Sequence, residues 1–230
     1  MCPLPDYEKN FNTMMMNEPI VEQGYPRYIV VASKVISILF HPLFVGVMMA
    51  AYLIYFHPTY FLGFSEKSKL LKLLTVINNN VFFPMIVVAL LKGLGFSKSI
   101  QLSSQKERII PYIASITFFF WTYYVFRTQP ETPRMLVNMC RAMFFASSAA
   151  LILNNYYKIS MHTIACGGML GLVFLTINDG SMSSGIPMTV AVLITGFVFT
   201  SRKIASDHTW FDLITGFILG ILCQITALWF

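Results

Sequence analysis

The chain has little charge for its length. Only 11% of its 230 residues are Asp, Glu, Lys or Arg, whereas 56% are hydrophobic. Too few polar side chains remain to cover the surface of an ordinary water-soluble domain, and no low-complexity segment indicates disorder. The composition therefore predicts a polytopic membrane protein.

Clustered positive charge is also missing. The 16 Lys and Arg residues give a net charge of +6, but they are scattered along the polar segments instead of forming a stripe. We therefore expect no nucleic-acid partner. Cations placed in this way are typical of residues that flank membrane spans or contact anionic headgroups.

Cysteine is sparse and widely spaced. Cys140, Cys166 and Cys223 lie in apolar runs far from one another and from Cys2, which favours small buried side chains over disulfides or a metal site.

The first 27 residues contain no apolar run long enough for a signal peptide. We interpret residues 1–27 as a surface tail or amphipathic lead-in, and residues 28–230 as one transmembrane domain.

Seven apolar stretches approach the roughly 20 residues that a membrane-spanning helix needs. They lack the period-two alternation of a β-barrel. The predicted fold is therefore an all-α, polytopic transmembrane helical bundle of six to seven spans. The stretches cover 29–56, 70–94, 109–126, 135–157, 162–178, 186–200 and 209–230.

Few polar residues interrupt these stretches. His41-Pro42 and the run Asn78-Asn79-Asn80 are typical of a kink and of hydrogen bonds between helices. Arg141 has two interpretations: it faces protein or water and has a partner, or it extends toward the membrane interface. Gly167 with Gly171, and Gly216 with Gly220, have the GxxxG spacing of closely packed helices.

The densest group of reactive side chains lies at the junction of the last two stretches. There the sequence reads SRKIASDHTWFD, with Arg202, His208 and Asp212. On a helix that begins near His208, the imidazole and the Asp212 carboxylate share one face, so the carboxylate can orient the ring for nucleophilic attack. The planar guanidinium group of Arg202 can bind a phosphate through two parallel hydrogen bonds. No paired carboxylates for two metal ions are evident, which predicts metal-independent chemistry without a cofactor.

This SRxxxxxHxxxD string resembles the third signature of the type-two phosphatidic acid phosphatase superfamily. The resemblance implies that His208 attacks phosphorus, that Asp212 orients it, and that Arg202 binds phosphoryl oxygens, with Ser201 in the phosphate-binding set. The layout of the chain also looks like that of small bacterial members.

Two further segments resemble the other signatures of that superfamily. Ile159-Ser160-Met161-His162 is similar to PSGH, with Ile and Met in place of Pro and Gly. This implies that His162 protonates the leaving oxygen and that Ser160 contacts phosphate. The segment from Lys106 to Pro111 is similar to KxxxxxxRP, which implies phosphate binding by Arg108, with Lys106 or Lys98 in place of the lysine.

The function implied is that of an integral-membrane lipid phosphate or lipid diphosphate phosphatase that forms a phosphohistidine. Undecaprenyl diphosphate, phosphatidic acid and phosphatidylglycerol phosphate all fit as substrates. The main alternative is a catalytically degraded relative that binds lipid phosphate or acts as a scaffold; a transporter or haem protein with histidine ligands is a third interpretation. The expected location is the bacterial inner membrane, with the face of the site and the oligomeric state left open.

The order of the spans makes a geometric prediction about the site. Two spans separate Arg108 from His162, and two more separate His162 from Arg202. Because an even number of crossings returns a chain to the same membrane face, all three segments can meet at one surface.

Overall fold

The computed structural model of the protein describes residues 25–94, 108–178, 180, 185–206 and 208–229. Within these ranges it contains helices and no β-strand, which confirms the predicted all-α bundle. Most of the predicted tail, residues 1–24, lies outside the described ranges. The helices are α1 (Arg27–Leu39), α2 (Pro42–Ala51), α3 (Glu66–Ile77), α4 (Phe83–Gly93), α5 (Ile109–Arg127), α6 (Arg134–Leu153), α7 (Met161–Asn178), α8 (Ile186–Ala205) and α9 (Trp210–Thr226).

Five helices in the described ranges are long and apolar enough to cross a membrane. They are α5, α6, α7, α8 and the 28-residue unit Glu66–Gly93, in which a π-helical turn joins α3 to α4. A sixth span results if α1 and the segment Pro42–Phe56 are counted together, with a bend of 54° between them. In that segment a π-helical turn, Tyr52–Phe56, continues α2. Helix α9 is apolar but only 17 residues long, and it corresponds to the seventh predicted stretch.

The surface of the bundle is apolar and several polar groups face inward. Helix α1 shows the pattern clearly: Val31, Val35 and Ile38 are exposed, whereas Ser33 and Ser37 are buried. A surface of this kind suits contact with hydrocarbon, in which polar groups must find partners inside the protein. Together with the long apolar helices, it indicates a membrane protein.

Several helix ends differ from the boundaries expected from hydropathy, among them those of α6 and α8. Helix α6 ends at Leu153, four residues before the predicted end, and α8 continues to Ala205, five residues beyond it. The second difference has a physical reason. Arg202 and Lys203 lie in the last turn of α8, where cations interact favourably with the carbonyl end of the helix dipole. Hydropathy ends the span at these cations, but the helix continues through them.

Helix α7 is central and packs most extensively against α9. The glycines with GxxxG spacing form this contact. A Cβ atom on Gly167 would collide with the carbonyl oxygen of Phe217, and one on Gly220 would collide with that of Ile164. On Gly216 it would lie 2.8 Å from the carbonyl oxygen of Ser160. The missing side chains therefore let the two backbones approach closely.

Arg141 lies inside the bundle, as the first of its two interpretations predicts. Its side chain is buried on α6, donates a hydrogen bond of 2.9 Å to the carbonyl oxygen of Ala227, and lies 5.0 Å from the centre of the Tyr123 ring. Ala227 follows the last residue of α9, so the guanidinium satisfies a carbonyl at a helix C-terminus. The asparagine run also bonds between helices, since Thr122 donates to Asn80 at 3.2 Å.

Candidate active site

One end of the bundle collects the polar ends of four helices. Arg108 precedes α5, the segment 159–162 leads into α7, Arg202 lies in the last turn of α8, and His208 precedes α9. Two helices lie between each successive pair of the three segments that contain Arg108, His162 and Arg202. The even-number prediction therefore agrees with the observed arrangement.

The loop before α9 places His208 beside Asp212. Thr209 caps the helix: its hydroxyl accepts from the Asp212 amide at 3.2 Å, and the Asp212 carboxylate accepts from the Thr209 amide at 2.9 Å. This capping box fixes the carboxylate in the first turn. The same Asp212 oxygen, Oδ2, lies 3.6 Å from Nδ1 of His208, slightly beyond a normal hydrogen bond. Asp212 thus both caps the helix and faces the imidazole.

The environment of His208 favours its neutral form. The ring is buried, and this burial is the largest cause of a pKa lowered from the usual value of 6.5. The positive charges of Arg202 and Arg108 lower the pKa further, while the interaction with Asp212 raises it. A neutral imidazole whose Nδ1 faces a carboxylate can use Nε2 as a nucleophile.

The positive charge of Arg202 acts on three histidines at this end of the bundle. It lies within electrostatic range of His41, His162 and His208. Lys203, the next residue, has its ammonium 5.4 Å from the centre of the Trp210 ring. The two neighbouring cations therefore have different surroundings, and Arg202 is the one associated with the imidazoles.

Arg108 joins the start of α5 to the segment before α7. It is buried, its guanidinium donates to the carbonyl oxygen of Ile159 at 3.4 Å, and its charge acts on His208. Lys106 and Lys98, the two alternatives for the lysine of the first signature, lie outside the described residues. Arg108 is therefore the member of that signature whose position relative to His208 is described.

Ser160 connects the segment before α7 to the first turn of α9. Its amide donates to the carbonyl oxygen of Asp212 at 3.4 Å, and its own carbonyl oxygen accepts from Thr163 at 3.1 Å. The side chain is fully buried, and its hydroxyl has no hydrogen-bond partner among the described residues. Because a buried hydroxyl without a partner is costly, this position suits a polar ligand or water.

His162 is oriented by a backbone group of α1. Its Nε2 lies 3.0 Å from the carbonyl oxygen of Ser37, and since a carbonyl oxygen only accepts, Nε2 is the donor. The other ring nitrogen, Nδ1, is the one that can take up or release a proton while this hydrogen bond is kept. Ser201, the other serine predicted to bind phosphate, pairs its hydroxyl with that of Ser37 at 3.1 Å and donates to Val198 at 3.0 Å. Ser201 thus links α8 to α1.

His41 also lies at this end of the bundle, although the sequence pattern does not predict it as a site residue. The structure places its ring 5.4 Å from that of His162, centre to centre, in an edge-to-face arrangement of 83°. The signal in the sequence is the polar pair His41-Pro42 inside an apolar stretch, which predicts a kink. The kink is present, and it also brings an imidazole to this end of the bundle.

Three comparisons address relationship to known proteins. The chain matches no protein-family model, no curated protein and no solved structure. In the part of the chain that the structure describes, no three His, Cys, Asp or Glu side chains form a group that could hold a metal ion. The geometry of this site is therefore the basis for a proposed function.

Proposed function

We propose that the protein is a membrane phosphatase of the type-two phosphatidic acid phosphatase kind, which hydrolyses a lipid phosphate or lipid diphosphate. The observation that carries this proposal is the convergence of His208, Asp212 and Arg202, with His162 within electrostatic range of the same arginine. A nucleophile, its orienting carboxylate, an anion-binding guanidinium and a proton donor are the groups that such a reaction requires.

In the first step, the Nε2 lone pair of His208 forms a bond to phosphorus as the bond from phosphorus to the leaving oxygen breaks. The leaving oxygen takes a proton from Nδ1 of His162, which enters the step as a doubly protonated imidazolium and ends it as a neutral ring whose Nε2–H is still bonded to the carbonyl oxygen of Ser37. In the second step, water attacks phosphorus and the bond to His208 breaks, while a proton from the water passes to His162. Arg202 and Arg108 stabilise the charge on the transferring group.

An apolar cavity favours a substrate that carries a hydrocarbon chain. The cavity has a volume of about 110 Å³ and lies among α2, α5, α6, α7 and α9. Its lining includes Pro42 and Met161, the neighbours in sequence of His41 and His162, and also Ile164 and Leu172. A phosphate ester bound at the polar end would have hydrocarbon-compatible surface close by. In this proposal the protein is an integral protein of the bacterial inner membrane.

The direct test is phosphate release by the purified protein from phosphatidic acid, phosphatidylglycerol phosphate and undecaprenyl diphosphate in mixed micelles. We expect release from at least one of them, and retention of activity in the presence of a chelator. Phosphate binding without release would support the alternative, a lipid-phosphate-binding relative. The 3.6 Å gap between His208 and Asp212 is the observation that favours this alternative.

Substitution of Arg202 by glutamine should lower kcat/KM by at least about 10²-fold, the usual effect of removing a group that stabilises charge in the transition state. Lys203→Gln is the matched control because it removes the same charge from the adjacent residue. We expect it to have little effect, since Lys203 lies against Trp210. Steady-state kinetics of both variants test this, and equal losses would contradict the role given to Arg202.

The neutral form of His208 should persist below pH 6.5. Because its pKa is lowered, the ring stays neutral as the pH falls through 6.5 and gains a proton only at lower pH. Arg108→Gln removes one of the charges that lower this pKa, so the titration should move to higher pH. NMR titration of labelled histidines, with the His208 signal assigned from His208→Asn, measures this pKa directly. A pH profile of activity would not, because the phosphate esters used as substrates themselves titrate near pH 6. A midpoint above 6.5 in the unsubstituted protein would refute the prediction.

A further inference from the structure

The break between α1 and α2 exposes a backbone carbonyl that a continuous helix would use. In such a helix the His41 amide would bond to the carbonyl oxygen of Ser37. Here the His41 amide donates to Ile38 at 3.2 Å instead, and the next residue, Pro42, has no amide hydrogen. The carbonyl oxygen of Ser37 is therefore available to accept from His162.

The same break fixes the ring of His41. His41 is the N-cap of α2, and its Nδ1 accepts a hydrogen bond of 3.4 Å from the Leu43 amide. In a neutral imidazole, an accepting Nδ1 leaves the proton on Nε2. His41 therefore presents one N–H donor, with its ring against that of His162 and within electrostatic range of Arg202.

Capping alone does not account for a histidine at this position. Asn, Asp and Ser are the preferred N-caps, and the hydrogen bond that His41 accepts is long. A polar ring inside an apolar span is costly, and residues of this kind commonly mark a binding site. The ring lies against that of the proposed proton donor, His162, and within electrostatic range of the guanidinium of Arg202, and this location indicates the further role.

We propose that His41 is a phosphate-binding residue of the site, and that its Nε2–H donates a hydrogen bond to a phosphoryl oxygen also bound by Arg202. This inference rests on the proposed function because it assigns a contact to the same substrate group. It makes α1 and α2 part of the site: Ser37 orients His162 and His41 contacts the phosphate. The chemistry that His41 recognises is a phosphoryl oxygen, whether it belongs to a monoester or a diphosphate.

Two substitutions separate binding from capping. Asparagine at position 41 can cap α2 with its short side chain but has no group at the position of Nε2. Glutamine, which is longer, can place an amide N–H near the position of Nε2 but caps poorly. His41→Asn should therefore keep the thermal stability and lose phosphate affinity, whereas His41→Gln should lose stability and keep part of the affinity.

The experiment measures the affinity of the purified full-length protein for inorganic phosphate by calorimetry, together with the melting temperature. His41→Asn should weaken binding by about 10- to 100-fold, the range for one hydrogen bond to a charged group. Ser65→Asn is the matched control, since Ser65 caps α3 and belongs to a different helix start. It should leave the affinity unchanged.

The outcomes are distinguishable. Equal phosphate affinity in His41→Asn and the unsubstituted protein would show that His41 only caps α2, and an unsubstituted protein that binds no phosphate would also overturn the inference. A protein that binds phosphate through His41 but releases none from lipid phosphates would overturn the phosphatase proposal and leave the role of His41 intact. If His41→Asn does not fold, His41→Gln supplies the test: affinity as low as that of Arg202→Gln would contradict the inference.

Discussion

Substitution of His208 by alanine should lower the rate of phosphate release by at least about 10³-fold, the scale of loss when a nucleophile is removed. In the proposed mechanism the remaining groups would still bind phosphate and supply a proton, but the imidazole that attacks phosphorus would be missing, so no phosphohistidine would form. Free imidazole added to His208→Ala should restore part of the activity, because it fits the volume that the missing ring leaves. Phosphate release under single-turnover conditions measures both effects.

The control for this variant is His57→Gln. His57 is also a buried histidine, but it stacks on Tyr60 at 4.1 Å, in the segment that follows α2. Its loss should leave the activity of the folded protein unchanged. The intermediate provides a second readout: rapid acid-free quenching should trap phosphate on the unsubstituted protein and none on His208→Ala. Equal release by His208→Ala and the unsubstituted protein would remove the enzyme proposal.

Substitution of Gly167 by alanine should separate α7 from α9 and destabilise the protein by about 1–3 kcal/mol or more, the usual cost of forcing an extra group into packed structure. The new Cβ atom would collide with the carbonyl oxygen of Phe217, and a backbone atom cannot move aside as a flexible side chain can. Because α7 contains His162 and His208 directly precedes α9, activity should fall together with stability. Thermal unfolding in detergent measures the first effect.

The adjacent glycine is a matched control. A Cβ atom on Gly168 would lie 4.0 Å from its nearest neighbour, the carbonyl oxygen of Gly220, which is ordinary contact. Gly168→Ala should therefore be neutral or slightly stabilising, because alanine favours the helix more than glycine does. If both variants melt alike, the close approach of α7 and α9 is not set by Gly167.

Much of the fold was predictable because hydrocarbon imposes a simple rule on sequence. A spanning segment must be long, apolar and helical, so composition and run length predict the all-α bundle. The predicted end of α8 was wrong for a local reason. Arg202 and Lys203 are polar by hydropathy, but at the C-terminal end of a helix they are stabilised, and α8 extends through them.

The candidate site was predictable where its residues are close in sequence. His208 and Asp212 are four residues apart, and the capping residue between them, Thr209, holds the carboxylate toward the ring. His41 was missed because its partner, His162, is 121 positions away. A His-Pro pair in an apolar stretch predicts a kink whether the imidazole faces lipid or a neighbouring helix. The sequence therefore favoured a kink at this position over a binding role for His41.

The sequence by itself determined that the chain forms apolar helices, that their polar ends can meet at one face, and that one of those ends contains an imidazole beside a carboxylate. These properties depend on composition, on the parity of crossings and on helical spacing, all of which are local or additive. Only the tertiary structure decided three contacts. The Ser37 carbonyl oxygen on α1 accepts a hydrogen bond from His162, Ser201 bonds to Ser37 of α1, and the ring of His41 lies against that of His162. Such contacts arise from the packing of helices distant in sequence, and no periodicity along the chain encodes them.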